Sequence, residues 1–82
     1  MSKNIYSVYI VECADNTLYT GISNDVKKRV ATHNLGKGAK YTRARRPVVL
    51  KFSKRIGDKS AALKEEAKIK KLSRKQKLKL LE

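Results

Sequence analysis

Residues 6–22 read YSVYIVECADNTLYTGI. β-branched and aromatic residues dominate 5–11, and such side chains pack well on a pleated, half-buried surface, so this run predicts a strand. Asp15 and Asn16 supply turn chemistry, because their short polar side chains bond back onto the local backbone. Residues 17–22 then return as a second strand, and the whole stretch predicts a β-hairpin with a loop of several residues. Side chains alternate along a strand. Ile5, Ser7, Tyr9 and Val11 therefore share one face, and Tyr6, Val8 and Ile10 the other. Tyr19 alternates with Leu18 and Thr20, and Gly21 follows two positions on along the same side. A glycine inside a strand permits close approach by another group. Each tyrosine has an ordinary reading as a strand aromatic with its hydroxyl at the rim. The sharper reading is that two of them point at something that reacts.

Outward from the hairpin, Ser23, Asn24 and Asp25 offer N-caps for a helix running to about His33. Residues 34–46 hold Gly36 and Gly38 and are densely basic, which reads as a loop. Pro47 opens a third strand over 48–53, its missing N–H suiting a strand start or edge. Asp58 caps a helix over about 59–72, and Ser73-x-x-Gln76 is a capping-box pattern that starts a last short helix. The order β-β-α-β-α-α predicts one α+β domain over residues 1–82, a three-stranded, mostly antiparallel sheet flanked by helices.

The chain has 82 residues, with 21 Lys and Arg against 7 Asp and Glu, a net charge of +14. That excess points to a polyanionic partner, nucleic acid first; a small ribosome-associated protein or a solvated basic surface are the blander readings. Cys13 is the only cysteine, so no internal disulfide closes the fold, and a reducing cytoplasm is the simplest home. With no second Cys or His beside it, Cys13 reads as a packed small hydrophobe rather than a zinc ligand. No apolar run approaches the roughly 18–20 residues of a membrane helix. Lys3 has no long apolar core behind it, so no signal peptide is expected. No glycine-rich phosphate loop follows a strand, and no nucleotide cofactor is indicated.

Two helices carry polar residues where apolar ones belong. At about 100° per residue, Arg29 and His33 fall on the face that Val26 and Val30 define, while Lys27, Lys28 and Thr32 point elsewhere. Arg29 could bury its stem and snorkel, with His33 satisfied by a backbone carbonyl. In the next helix Ala62, Leu63, Ala67 and Ile69 mark an apolar arc with Glu66 in its middle. Lys70 offers Glu66 a routine i,i+4 ion pair, but a carboxylate aimed at a sheet is also a candidate ligand for Mg²⁺, which takes one or two protein carboxylates and keeps its waters.

Together these residues resemble the GIY-YIG nuclease superfamily, in particular its small stand-alone members. Ser7-Val8-Tyr9 and Tyr19-Thr20-Gly21 stand as the two signature tripeptides. Arg29-x-x-x-His33 follows on the helix, and the later carboxylate lies in Ala62-Leu63-Lys64-Glu65-Glu66. The stretch from His33 to Pro47, with Gly36, Gly38 and Tyr41-Thr42, looks like the linker of the stand-alone group. Ser7 replaces the first family Gly and Thr20 the family Ile; both lie beside the tyrosines. The resemblance implies phosphodiester hydrolysis with one divalent ion, Mg²⁺ or Mn²⁺, held by Glu66. It implies that Tyr9 and Tyr19 position or deprotonate the attacking water, that Arg29 stabilises charge on the phosphate, and that His33 helps to activate a tyrosine or the nucleophile. Gly21 and Asn34 would support the site.

The expected substrate is DNA, branched or damaged DNA included, with DNA favoured over RNA. Lys37, Lys40, Arg43, Arg45 and Arg46 would hold the phosphate backbone without reading sequence. Tyr41, among them, could stack on an unpaired base or pack on the domain. The alternative function is a nucleic-acid-binding module with weak or no catalysis, acting with a partner protein; a pure binder has no need of Glu66, because a carboxylate repels phosphate unless a cation intervenes.

Overall fold

The computed structural model describes residues 5–81. Lys3 and Glu82 lie outside them. Strands β1 (Tyr6–Glu12) and β2 (Leu18–Ser23) form the hairpin. They are followed by α1 (Val26–Asn34), a short α2 (Lys40–Arg43), β3 (Val49–Gly57), α3 (Lys59–Lys70) and α4 (Arg74–Leu80). The sheet order is β2-β1-β3 and both pairings are antiparallel. In the hairpin loop, Asn16 takes a left-handed φ of 68°, and Asp15 Oδ1 accepts from the Thr17 N–H at 3.1 Å and the Thr17 hydroxyl at 2.6 Å. Of the three N-cap candidates before α1, Asp25 takes the role and accepts from the Lys28 N–H. Asp58 caps α3, and Ser73 with Gln76 closes a full capping box on α4.

Two boundaries differ from the sequence reading. The basic segment 34–46 is not all loop, since residues 40–43 make one helical turn. The third strand runs on to Gly57, because its outer residues meet a long partner in β1. The helix arc on α3 is also rotated: Ala62 and Ile69 are buried, but Leu63 is 45% exposed and Ala67 lies outside. On a helix those two stand about 100° and 140° round from Ala62, whereas Glu66 is only about 40° away. Glu66, not Leu63, thus faces inward.

The central strand is buried on both sides. Tyr9 and Val11 pack with Cys13 and Val48 under Tyr19 and under Val26 and Val30 of α1. Val8 and Ile10 meet Ile69 of α3, flanked by Leu18, Ile22, Phe52, Ile56 and Leu81. Each such aliphatic side chain is worth about 1.5–3 kcal/mol when removed from water, so β1 anchors both layers. Burial also pushes the Cys13 thiol above its ordinary pKa, away from the reactive thiolate. Among the described residues no helix is long and apolar enough to cross a membrane.

Thr20 sits in the second layer, opposite Ile10, and its buried hydroxyl has no hydrogen-bond partner among the described residues. A stranded buried hydroxyl costs about 1–3 kcal/mol. Thr20→Val is therefore expected to gain about 1 kcal/mol and raise the thermal midpoint by roughly 4–8 °C. A midpoint that stays put or falls in a melt followed by circular dichroism would refute the orphaned hydroxyl.

Candidate active site

The chain positions His33 by the way α1 ends. Gly36 takes φ +79°, its N–H bonds to the His33 carbonyl, and the Lys37 N–H bonds to that of Thr32. This is a Schellman ending, which glycine favours because it adopts a left-handed φ without strain. The chain then turns back so that Gly38 lies on the imidazole: a Cβ there would stand 2.8 Å from His33 Cγ and 2.9 Å from its backbone Cα. His33 is wholly buried and Tyr9 is 1% exposed. The Tyr9 hydroxyl and His33 Nε2 are 2.8 Å apart, and His33 Nδ1 is 2.8 Å from the Thr42 hydroxyl of α2. His33 is thus satisfied by two side chains, not by a backbone carbonyl. Gly21, directly opposite Tyr9, makes room for the phenol, since a Cβ at Gly21 would come within 2.6 Å of the Tyr9 oxygen.

Around this pair burial and neighbouring charges act together. Burial raises the Tyr9 pKa above its ordinary 10.0; a side-chain hydrogen bond to Arg29 works against that shift, while Tyr19 and Glu66 add to it. Burial, followed by the charge of Arg29, lowers the His33 pKa from 6.5. At neutral pH Tyr9 keeps its proton and His33 is uncharged. Tyr19 meets the imidazole edge-on, with ring centroids 5.4 Å apart. Arg29, beside both, also lines a neighbouring cleft of about 250 Å³ with Ser23, Asn24, Asp25, Lys28 and Thr32, a cleft whose lining does not include Tyr9, Tyr19, His33 or Glu66. The fold brings Tyr9, Tyr19, Arg29, His33 and Gly21 to one place, and the charge of Glu66 is the smallest of the influences that act on Tyr9.

Residues 5–79 match the GIY-YIG catalytic domain. The chain belongs to the GIY-YIG family. A UPF0213 protein of Staphylococcus haemolyticus is 57% identical over 75 residues, covering 92% of each chain. A UPF0213 protein of Halobacterium salinarum is 52% identical over 73 residues, 89% of this chain and 95% of that one. The solution structure of a UPF0213 protein from Bacillus halodurans is similar at 43% identity and a TM-score of 0.60, over 94% of this chain and 82% of that one. That of a protein from E. faecalis is similar at 38% identity and a TM-score of 0.65, over 98% and 85%. GIY-YIG domains form a nuclease superfamily, generally dependent on a divalent metal, so nucleic acid is the substrate class that membership brings.

The register sets the two signature tripeptides of this GIY-YIG domain side by side, with Tyr9 opposite Gly21 and Val11 opposite Tyr19. Glu66 is the carboxylate expected from the sequence as a metal ligand. Its side chain is 18% exposed and Lys70 Nζ lies 3.5 Å from Oε2, so the routine ion pair forms as well. No group of three or more His, Cys, Asp or Glu able to hold a metal occurs among the described residues. A lone carboxylate fits Mg²⁺ or Mn²⁺, which retain waters and take phosphate oxygens, and does not fit Zn²⁺, which asks for three or four protein ligands.

The other candidates of the GIY-YIG domain take different places. Asn34 does not join the cluster: its amide donates to the Val48 carbonyl at 3.0 Å and accepts the Val48 N–H at 2.7 Å, which pins the end of α1 to the approach of β3. Tyr41 packs on the domain, its ring stacked on Tyr19 at 5.9 Å and its centroid 3.9 Å from the Arg45 guanidinium. Arg45 is further tied to Asp15 at 3.0 Å and to the Tyr41 carbonyl. Arg46 donates to the Arg43 carbonyl, and Lys37, Lys40, Arg43 and Arg46 are exposed.

Sequence reasoning missed four residues near the site. Lys28 lines the cleft, and Arg55 stands opposite Ser7 on the face of the sheet that carries Tyr9; strand alternation could have found Arg55 had β3 been read to its full length. Thr42 and Gly38 had no periodic signal, because they belong to an irregular segment that closes on His33 from the far side.

Proposed function

We propose that this GIY-YIG domain is a divalent-metal-dependent endonuclease that hydrolyses phosphodiester bonds in DNA, branched or damaged DNA included. The observation that carries the reading is the buried 2.8 Å hydrogen bond between Tyr9 and an uncharged His33, with Arg29 beside both. A phenol is a poor base at neutral pH. Handing its own proton to His33 as it takes one from water removes the need to form a free phenolate. In that step a water oxygen attacks phosphorus, its proton passes to Tyr9, and the Tyr9 proton passes to His33 Nε2. One P–O ester bond breaks and the leaving oxygen is protonated from solvent. Arg29, at the cleft, meets the charge that builds on the phosphate oxygens, a task its planar fork of donors suits. Glu66 is the residue that would hold a divalent ion, which would supply Lewis acidity for the hydrolysis. Lys28, Arg55 and the exposed loop cations Lys37, Lys40, Arg43 and Arg46 hold the flanking backbone.

The test is cleavage of supercoiled, single-stranded and branched DNA, and of RNA, in Mg²⁺, Mn²⁺ and EDTA, beside Glu66→Gln. Metal-dependent cleavage is expected from the parent. The variant should need about tenfold more metal, or more still, for the same rate. An unchanged metal requirement in Glu66→Gln removes Glu66 from the metal site. Binding without cleavage on every substrate replaces the nuclease with a binding module that acts with a partner.

A further inference from the structure

We infer that Thr42 is a positioning residue for the reaction: its hydroxyl fixes the tautomer of His33 so that the bare nitrogen faces Tyr9. The inference rests on the nuclease reading above for its catalytic meaning, but the hydrogen bonds that carry it do not. Thr42 is wholly buried and its hydroxyl has a single proton. That proton is donated to the Ala39 carbonyl at 2.9 Å, an oxygen that can only accept. At its other contact, 2.8 Å from His33 Nδ1, the hydroxyl must therefore accept, so Nδ1 carries the imidazole proton. In an uncharged ring Nε2 is then a lone pair, and the Tyr9 hydroxyl 2.8 Å away must donate to it. The chain of donors runs one way, from Tyr9 through His33 and Thr42 to the Ala39 carbonyl.

The polarity matters because the opposite tautomer would place an N–H against the Tyr9 oxygen. Tyr9 could then no longer pass its proton inward, and water would have no path to give one up. The charged and titratable groups that face the imidazole are Tyr9 on β1, Tyr19 on β2 and Arg29 on its own helix. None of them contacts Nδ1. Among the described residues Thr42 alone hydrogen-bonds to it, and Gly38 leaves the ring room to meet that hydroxyl. Thr42 touches neither the cleft nor the candidate metal carboxylate, so it acts through His33 alone.

The test compares the parent with Thr42→Val, which keeps the shape and loses the acceptor, and with Thr42→Ser, which keeps the hydroxyl. The ring nitrogens of His33 are read by long-range ¹H–¹⁵N correlation in the free protein above pH 7, and DNA cleavage is followed beside it. A protonated Nδ1 is expected in the parent and in Thr42→Ser, and a mixed or inverted tautomer in Thr42→Val. Cleavage by Thr42→Val should fall by between about tenfold and the ~10⁴-fold that a wrong histidine tautomer costs a serine-protease triad, with Thr42→Ser restoring most of it. A proton on Nε2 in the parent overturns the assignment even if Thr42→Val proves too unstable to study. So does Thr42→Val cleaving at the parental rate, or Thr42→Ser behaving like Thr42→Val. A parent with the expected tautomer that cleaves nothing instead removes the nuclease reading and leaves the hydrogen-bond polarity standing.

Discussion

Tyr9→Phe is expected to slow DNA cleavage by about 10²–10⁴-fold, the usual contribution of a positioned proton-transfer group. The substitution removes one oxygen from a ring that is otherwise held by packing, so the sheet should survive. It also leaves His33 Nε2 buried without a donor, at a cost of about 1–3 kcal/mol, which a thermal melt will register separately from activity. The parent's pH profile gives a second reading of the same pair. Burial and Arg29 hold the His33 pKa below 6.5, so His33 is uncharged and able to accept a proton at neutral pH. The acid limb of cleavage, where the imidazole charges, should therefore have its midpoint below pH 6.5. In Tyr9→Phe that acid limb should vanish along with the rate. A variant that cleaves within about tenfold of the parent, or that keeps the limb, would show that water gives its proton to another group.

Gly38→Ala should produce the largest loss of stability of any single methyl group added near the site. Its Cβ would press on His33 Nδ1, stand 2.8 Å from Cγ and come within 2.9 Å of the backbone Cα. The ring cannot yield without giving up Tyr9 on one side or Thr42 on the other, and the backbone of α1 is fixed by its own hydrogen bonds. Overpacking of this kind costs about 1–3 kcal/mol, and at roughly 4–8 °C per kcal/mol in a chain of this size the melting point should fall by several degrees at least. Gly36→Ala makes a useful contrast. Its Cβ would meet only the flexible guanidinium of Arg46, so its cost is confined to the left-handed backbone, about 1–2 kcal/mol. If the two variants melt together, the close seat of Gly38 on His33 does not exist in solution.

The hairpin and the helix starts were legible because local chemistry decides them: alternation for β1 and β2, and capping side chains at Asp25, Asp58 and Ser73. Helix and strand faces singled out Arg29 and His33 as polar residues on an apolar face, but the tyrosines read equally well as ordinary strand aromatics, and only the family resemblance grouped Tyr9, Tyr19, Arg29 and His33 into one site. Glu66 was found in the middle of its arc although Leu63 and Ala67 misplaced the arc's flank; two buried residues a full two turns apart, Ala62 and Ile69, fix its direction better than their apolar neighbours do. What stayed hidden were contacts made across long sequence separations. Thr42 is nine residues from His33 but reaches it only through the Schellman turn at Gly36, and nothing in 38–43 has a period that points there. The stack of Tyr19, Tyr41 and Arg45 likewise depends on that path. It sets Tyr41 and Arg45 against Tyr19 while leaving both partly exposed.

The long third strand has a consequence for how copies of this chain behave toward one another. β3 is nine residues at the rim of the sheet, with a side that β1 does not occupy, the kind of edge that invites a second copy to add its own strand. Lys54 and Arg55 stand exposed along it, so two such rims approaching in register would bring like charges together. This electrostatic fence is only as tall as the ionic atmosphere allows: its reach shrinks from about 10 Å at 0.1 M salt to about 3 Å at 1 M. Concentrated salt, the usual means of stripping nucleic acid from a basic protein, thus also lowers the barrier to self-association.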